Sequence, residues 1–393
     1  MRVAHLSLGD FRNYRAAELT LHAGPNLIVG RNGQGKTNLV EAISYFATLR
    51  SHRVSSDAAM IRAGASAAIV RMRVAAGERD VVLETQLNRV GQNRSQVNGN
   101  PVRARELTRW FTSVMFAPED LSIVRGEPAG RRRFLDDALT ARLPVASGVI
   151  ADYERVVRQR TSLLKSARGA GRGNGAVQST LDVWDDQLIE HGVRIMLARR
   201  ELVRDLREPL AAAYTSLVGE DHGPALDLSE SVGDALQGVS RETPQNEQVE
   251  DVGVSRETLT AQFRAALAEV RGRELERGVT LVGPHRDDLD LTLNGLPVRG
   301  YASHGESWSF ALALKIALAT VIRNESPAGD PVIILDDVFA ELDRGRRERL
   351  MAVVSEFEQV IVTAAVEGDV PEGLPWHRVE VVAGELMERS AHE

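Results

Sequence analysis

The octapeptide GRNGQGKT, Gly30–Thr37, decides how the rest of the chain is read. A glycine, four residues and then Gly-Lys-Thr is the spacing of a phosphate-binding loop. Its backbone N–H groups can surround a β-phosphate, helped by the N-terminus of the helix that follows. The candidate nucleotide contacts are therefore Gly30, Arg31, Asn32, Gly33, Gln34, Gly35, Lys36, Thr37 and Asn38. Glycines are required because side chains would block the approach. Lys36 supplies charge to the β- and γ-phosphates, and Thr37 supplies a hydroxyl to Mg²⁺. The flanks agree with this. Asn26–Val29 is a short apolar run, and Leu39, Val40, Ala42, Ile43, Phe46 and Leu49 recur at helical spacing.

A second motif, VIILDDVFAELD (Val332–Asp343), reads as a buried strand ending in two carboxylates. Asp336 emerges at the C-terminal end of that strand, where such sheets bind ligands, and can hold Mg²⁺. Asp337 follows where a base can orient attacking water. Just upstream, YASHGESWSFALALKIAL (Tyr301–Leu318) opens an apolar helix with a Ser-x-Gly turn. In ABC-type ATPases such a turn meets the γ-phosphate held by the opposite subunit, here through Ser303, the Gly305 amide and the helix dipole. Taken singly, these stretches are a solvated strand end and a capped helix start. Their placement alongside the loop selects the functional reading, with Lys36, Asp337 and Ser303 as the candidates for the chemistry.

The loop and the acidic strand act on one phosphate, so 1–117 and 277–393 must build one α/β unit. The intervening 118–276 is then an inserted, mainly helical lid. Val145–Leu164 and Leu181–Leu217 carry helical periodicity, separated by the glycine-rich loop Ala167–Gly175. Strands are expected at Val3–Leu8, Ala17–Leu21, Ala68–Val74, Val81–Gln86 and Arg94–Val97, with Asn98-Gly99 as a hairpin turn. Leu289–Leu293 alternates into an Asn294-Gly295 turn, and Val379–Val382 reads as an edge strand. Gly219–Thr258 is polar and acidic and reads as a poorly ordered insertion. It holds VSRET twice, at Val239–Thr243 and Val254–Thr258. VSRET can be written as a fourteen-base palindrome resembling the core of a bacterial chromosome-partition site, which makes the repeat a candidate for constraint as DNA.

The chain has 393 residues, 43% hydrophobic content, a net charge of −7 and no cysteine. Disulfides, thiolate zinc sites and a cysteine nucleophile are excluded. The N-terminus lacks the apolar stretch of a signal peptide, and no uninterrupted apolar run is long enough to span a bilayer, so a cytoplasmic protein without a membrane partner is expected. The negative balance argues against bulk attraction to nucleic acid but leaves room for a local patch. Two arginine clusters are candidates for DNA contact: Arg131, Arg132 and Arg133, then Arg155, Arg158 and Arg160, continued by Lys165, Arg168 and Arg172. Of nine histidines, only His285, inside VGPHRDD, draws attention, as a packing residue or a ligand contact.

LSLGDFRNY (Leu6–Tyr14), the loop with NLVEAI (Asn38–Ile43), and AELD (Ala340–Asp343) resemble the ABC/SMC-type head ATPases. SHR (Ser51–Arg53), MFAPEDLSIVRGEPAGRRRFLD (Met115–Asp136) and VGPHRDDL (Val282–Leu289) resemble the RecF family of bacterial DNA-repair ATPases. That resemblance implies an ABC-type P-loop fold with a helical lid, using ATP and Mg²⁺. It implies a homodimer formed when two ATPs are sandwiched between heads, and weak DNA-stimulated hydrolysis acting as a switch. It implies binding to double-stranded DNA and to single-/double-strand junctions. The implied partners are RecO and RecR, which help RecA replace single-strand-binding protein. It also assigns Arg12 to the phosphates, Glu119 to a magnesium-sensing loop and Ala340–Asp343 to a cross-subunit loop. Members of the family commonly carry Ser-Gln-Gly-Gln-Gln-Arg where this chain has Ser303-His304-Gly305-Glu306-Ser307-Trp308. A Rad50- or SMC-like tether would need sustained heptads, which the glycine-broken helical block lacks. An overcoming-lysogenization-type nuclease would need a further carboxylate-rich domain.

Overall fold

A computed structural model describes residues 1–77, 79–167, 175–237 and 254–389. Strands β1 (Arg2–Phe11) and β2 (Tyr14–Thr20) form a hairpin, and β3 (Gly24–Val29) runs into the phosphate loop ahead of helix α1 (Lys36–Thr48). Strands β4 (Ala67–Ala76), β5 (Arg79–Asn88), β6 (Arg94–Val97) and β7 (Asn100–Val102) extend the hairpin into an antiparallel sheet ordered β2-β1-β4-β5-β6-β7. The Asn98-Gly99 turn joins β6 to β7, both residues having positive φ as the tight hairpin requires. After β8 (Ser113–Phe116) come α2 (Leu121–Arg125), α3 (Pro128–Arg142), α4 (Ala146–Ala167) and α5 (Gly175–Val218). Then follow β9 (Ala225–Ser229), α6 (Ser231–Gln237), α7 (Arg256–Arg277), β10 (Asp288–Leu293) and β11 (Leu296–Pro297). The chain closes with α8 (Val298–Tyr301), α9 (His304–Glu325), β12 (Val332–Asp336), α10 (Arg344–Val354), β13 (Gln359–Ala364), β14 (His377–Val382) and β15 (Glu385–Arg389).

The second sheet has the order β15-β14-β3-β13-β12-β8. Its members from β14 to β8 run parallel, and β15 is antiparallel. β12 and β13 are buried along their whole length, as their near-continuous apolar sequence dictates for a sheet covered on both faces. Alternate residues of β12 serve different cores. Val332 and Ile334 join Leu6, Phe11, Ile43 and Val70 between the two large sheets. Ile333 and Leu335 join Phe116, Phe310, Leu314 and Leu206 on the lid side. By length and composition α9 could cross a membrane, but 78% of its apolar window is buried, so its hydrophobicity fills the core.

Several sequence expectations shift. Val379–Val382 falls within β14, which is interior, paired with β3 on one side and β15 on the other. Part of 219–258 is ordered: β9 alternates buried and exposed positions, a signal masked by its acidic neighbours. β9 pairs with β10, so a three-stranded sheet straddles the boundary expected at 276/277. Ser255, in the second VSRET copy, caps α7 by accepting from the Thr258 amide, which gives that copy a role in the protein. The first copy and most of the glycine-rich loop lie outside the described residues.

The inserted unit is held by buried ion pairs. Arg160, fully buried, donates to Asp185 (2.7 Å), Glu274 (2.6 Å) and Thr280 (3.0 Å), joining α4, α5 and α7. Arg131, also buried, makes a bidentate pair with Asp288 of β10 (2.7 Å each). Neither side chain can reach a DNA backbone, which corrects the expectation for Arg131 and Arg160. VGPHRDD is the seam between these elements. The Tyr153 hydroxyl meets His285 Nδ1 at 2.8 Å, Arg199 donates to the Pro284 carbonyl, and Asp287 accepts from Ser231. Gly283 has φ +118, and a Cβ there would lie 2.5 Å from the Tyr153 hydroxyl. His285 is thus a packing residue of the seam.

Two outcomes follow from these contacts. Arg160→Met strands Glu274 in the interior and should destabilise the protein by about 3 kcal/mol or more in urea titrations. Burial pushes the His285 imidazole from 6.5 down to about 4. The folded ring then refuses a proton that the unfolded ring accepts. Stability is full above pH 6.5 and falls as pH drops from 6.5 towards 4, with a slope of roughly one proton. His285→Gln should flatten that slope in denaturant melts run across this range.

Candidate nucleotide site

Gly30–Gly35 links the end of β3 to the start of α1, so the amides of the loop and first helical turn converge on one cup. Gly35 has φ +116, and a Cβ there would lie 2.6 Å from the Tyr14 hydroxyl and 2.7 Å from Asn13 Nδ2. A Cβ on Gly30 would lie 2.4 Å from the Val381 carbonyl of β14. Both positions therefore demand glycine. Asn32, Gly33, Gly35, Lys36, Thr37 and Asn38 line the cup together with Asp337 and Arg53. Gln34 instead braces the loop, its side chain accepting from the Ala383 amide and its carbonyl accepting from Asn13.

Lys36 is buried and folds back onto its own loop, donating to the carbonyls of Gly30 (2.6 Å) and Arg31 (3.3 Å). Burial lowers its pKa, and the charges of Asp337 and Asp336 oppose that. The Thr37 hydroxyl donates to Asp336 Oδ1 at 3.2 Å, and Thr363 of β13 donates to the same oxygen at 2.6 Å. Burial raises the Asp336 pKa, against the pull of the Thr363 and Thr37 hydrogen bonds. A buried carboxylate beside a hydroxyl is a hard-oxygen donor pair suited to Mg²⁺, which takes one or two such ligands and completes its shell with phosphate and water. Among the described residues no group of three or more His, Cys, Asp or Glu forms a dedicated metal cage. Asp337 adopts the left-handed region (φ 54), its amide held by Thr363 Oγ1 at 3.0 Å.

The segment Ser51–Arg53 feeds three environments. Ser51 donates to the fully buried Glu41. His52 turns into an adjoining cavity of about 210 Å³ between α1, β8, α3 and α9, with neither ring nitrogen hydrogen-bonded. Arg53 enters the cup, its Nη1 donating to Asn38 Oδ1 at 3.0 Å. Arg12, the arginine expected at the phosphates, is engaged elsewhere. It makes a bidentate pair with Glu41 (2.6 and 2.7 Å) and donates to the Ala59 carbonyl. Burial alone would raise the Glu41 pKa, but the hydrogen bonds from Arg12 and Ser51 and the Arg12 charge hold it below the ordinary value. Glu119 lines the cavity of His52 and is absent from the cup lining. SHR is legible in the sequence as a motif, but nothing there gives Arg53 a role. A basic residue shortly after the loop's helix was the available signal.

Ser303 caps α9. Its hydroxyl accepts from the Glu306 amide (3.2 Å), and its own amide donates to Glu306 Oε2 (2.7 Å). Neither Ser303 nor Gly305 lines the cup of its own chain. A Cβ on Gly305 would lie 2.6 Å from Arg346 Nη1, and His304 faces Glu341 at 3.8 Å, so this turn sits beside Ala340–Asp343. Of the remaining arginines proposed for DNA, Arg132 is half-buried and donates to the Asp287 carbonyl, while Arg133 is exposed beside the cavity. Arg155 and Arg158 are exposed on α4 and pair with Asp152 (3.0 Å) and Glu154 (3.6 Å) of the same helix. Arg168 and Arg172 lie outside the described residues.

Comparison with known proteins agrees with this fold. The family model RecF/RecN/SMC N terminal domain matches residues 2–383. The chain is 55% identical over 390 residues to the DNA replication and repair protein RecF of Leifsonia xyli subsp. xyli (strain CTCB07), covering 99% of this chain and 100% of that one. It is 52% identical over 397 residues to the DNA replication and repair protein RecF of Clavibacter sepedonicus, covering 99% and 95%. Among solved structures, the recombination mediator protein RecF-ATPrS of the RecFOR pathway superposes with a TM-score of 0.85 at 26% identity, covering 99% of this chain and 98% of that one. An Smc head bound to the C-winged helix domain of ScpA (TM-score 0.55, 15% identity, covering 100% and 98%) shares the fold alone.

Gly35→Ala should abolish binding of a fluorescent ATP analogue, because the added methyl meets Tyr14 and Asn13 in a backbone conformation that alanine disfavours. Far-UV circular dichroism should stay unchanged.

Proposed function

The chain belongs to the RecF family within the RecF/RecN/SMC group, and on that premise we propose that it is an ATP-driven molecular switch on DNA. ATP would sit in the cup, its β- and γ-phosphates against the loop amides and Lys36. Thr37 and Asp336 would hold Mg²⁺, which neutralises phosphate charge. Asp337 would orient the attacking water. Arg53 would bring a second cation to the phosphates, the part first assigned to Arg12.

The observation that carries this reading is the separation of labour around α9. The helix begins with an exposed Ser-x-Gly cap that is absent from its own chain's cup. Glu306 takes the Ser303 amide and the Ser303 hydroxyl takes the Glu306 amide, which leaves the Gly305 amide and the helix dipole to meet an anion. We infer that it closes over the nucleotide of a second copy, so that ATP joins two heads. The engaged dimer would reside on DNA at single-/double-strand junctions, and slow hydrolysis would release it. Its partners would be RecO and RecR, acting to place RecA on DNA held by single-strand-binding protein. A relative described as a recombination mediator in the RecFOR pathway supports this. The exposed Arg133, Arg155 and Arg158 remain available to a DNA backbone.

The chain has no cysteine, so an engineered pair reports cleanly. In a mixture of Ser303→Cys and Asn32→Cys chains, ATP should produce a disulfide between copies, seen as a dimer band under non-reducing conditions. Sedimentation velocity with ATP and gapped DNA should show a loaded dimer for the wild type and not for Lys36→Arg. A monomer under every condition, with no crosslink, would overturn the reading.

A further inference from the structure

We propose that Arg94, Arg103, Arg105, Arg109 and Trp110 form a platform for single-stranded nucleic acid. The proposal rests on the DNA reading above and gives one strand of the junction a surface of its own. The β6–β7 hairpin pairs Ser95 with Val102, so the next step outward sets Arg94 beside Arg103. The chain then enters a 3₁₀ turn, Ala104–Arg109, that carries Arg105 and Arg109 and ends at Trp110. All four arginines are exposed, and among the described residues none makes an ion pair or a side-chain hydrogen bond. Glu106 is the carboxylate on this turn and is half-buried. Trp110 is 46% exposed, while its neighbours Leu107 and Phe111 are buried and anchor the turn.

Exposed arginines of the lid are of two kinds, and Arg133, Arg194 and Arg273 also make no ion pair among the described residues. Arg155, Arg158, Arg207 and Arg264 are exposed too, yet each answers a nearby carboxylate. On a chain of net charge −7, uncompensated cations gathered in one turn fit a polyanion. The indole selects which polyanion. Bases in a duplex are already stacked, whereas an unpaired base offers its face to an aromatic ring, and arginine planes add to that stacking. The position suits the function. The turn precedes β8, at the N-terminal end of a strand parallel to β12, whereas the cup sits at the C-terminal ends of β3 and β12. The platform therefore stays open when two copies close over nucleotide. Arg105 Nη1 lies 3.5 Å from where a Cβ on Gly148 would stand, so the turn abuts the start of α4 and the strand can continue along Arg155 and Arg158.

The test uses the full chain and short oligo(dT), read by intrinsic tryptophan fluorescence and by anisotropy. Oligo(dT) should quench the wild type. Trp110→Phe should keep most of the affinity while losing the quench, and Trp110→Ala should weaken binding about tenfold. The double variant R105E/R109E should weaken it further and make the salt dependence shallower by about two charges. Binding of a blunt duplex and of the ATP analogue should be unchanged in every variant. Wild-type affinity for oligo(dT) in Trp110→Ala and R105E/R109E would overturn the platform alone, leaving the switch on DNA intact if gapped DNA still loads. Displacement of oligo(dT) by polyglutamate at equal charge concentration would reassign the turn to an acidic protein and also overturn it. Absence of any nucleic-acid binding by the wild type would overturn both readings.

Discussion

One buried carboxylate holds the catalytic half of the molecule in register. Asp336 accepts from Thr37 at the start of α1 and from Thr363 at the end of β13, so a single oxygen gathers three segments distant in sequence. The sheet order makes this unavoidable. β13 lies between β3 and β12, and all three run parallel with their C-terminal ends on one side. The loop after β3 and the carboxylate after β12 then face each other across one strand. Everything between residues 118 and 276 had to leave the sheet and return to it without disturbing that spacing. The lid-side core supplied by β12, α9 and α5 accomplishes this by using the reverse face of the same strand.

What could be read in advance was whatever depends on near neighbours. The loop, its glycines, the two carboxylates of VIILDD and the capped start of α9 are each contained within a few residues, and their chemistry follows from spacing. The helices α4, α5 and α9 and the hairpin turn at Asn98-Gly99 are local patterns as well. What stayed hidden depends on partners far along the chain. Arg160 looks like one more basic residue on a charged helix until Glu274 and Asp185 arrive from α7 and α5. Arg12 looks like a phosphate ligand until Glu41, an acidic residue inside an apolar helix face, turns out to be fully buried and in need of a counter-ion. β9 was concealed by charged flanks, because its pairing with β10 spans about sixty residues of intervening chain.

The fate of the arginines explains how an acidic protein can still be proposed to bind DNA. A buried guanidinium paired with carboxylates adds little net stability over an apolar contact, yet breaking the pair is costly. Arg131, Arg160 and Arg199 belong to that class, and they draw together α3, α4, α5 and the loop that carries His285. Their charge is cancelled inside. The field seen from outside is then set by the exposed arginines, some paired, as Arg155 and Arg158 are on α4, and some unpaired, as on the turn before β8. Counting charges over the whole chain averages these populations and conceals the distinction.

The pairing of β9 with β10 has a practical consequence for anyone building chimaeras. The strand that completes the small sheet leads through β11 and α8 directly into Ser303. A transplant that stops at the end of α7 would sever a ladder and leave its donor half without a mate. A cassette exchanged between relatives must therefore carry the chain through Pro297, so the approach to the helix cap travels with the module while Ser303 and Glu306, which form the cap, stay with the recipient.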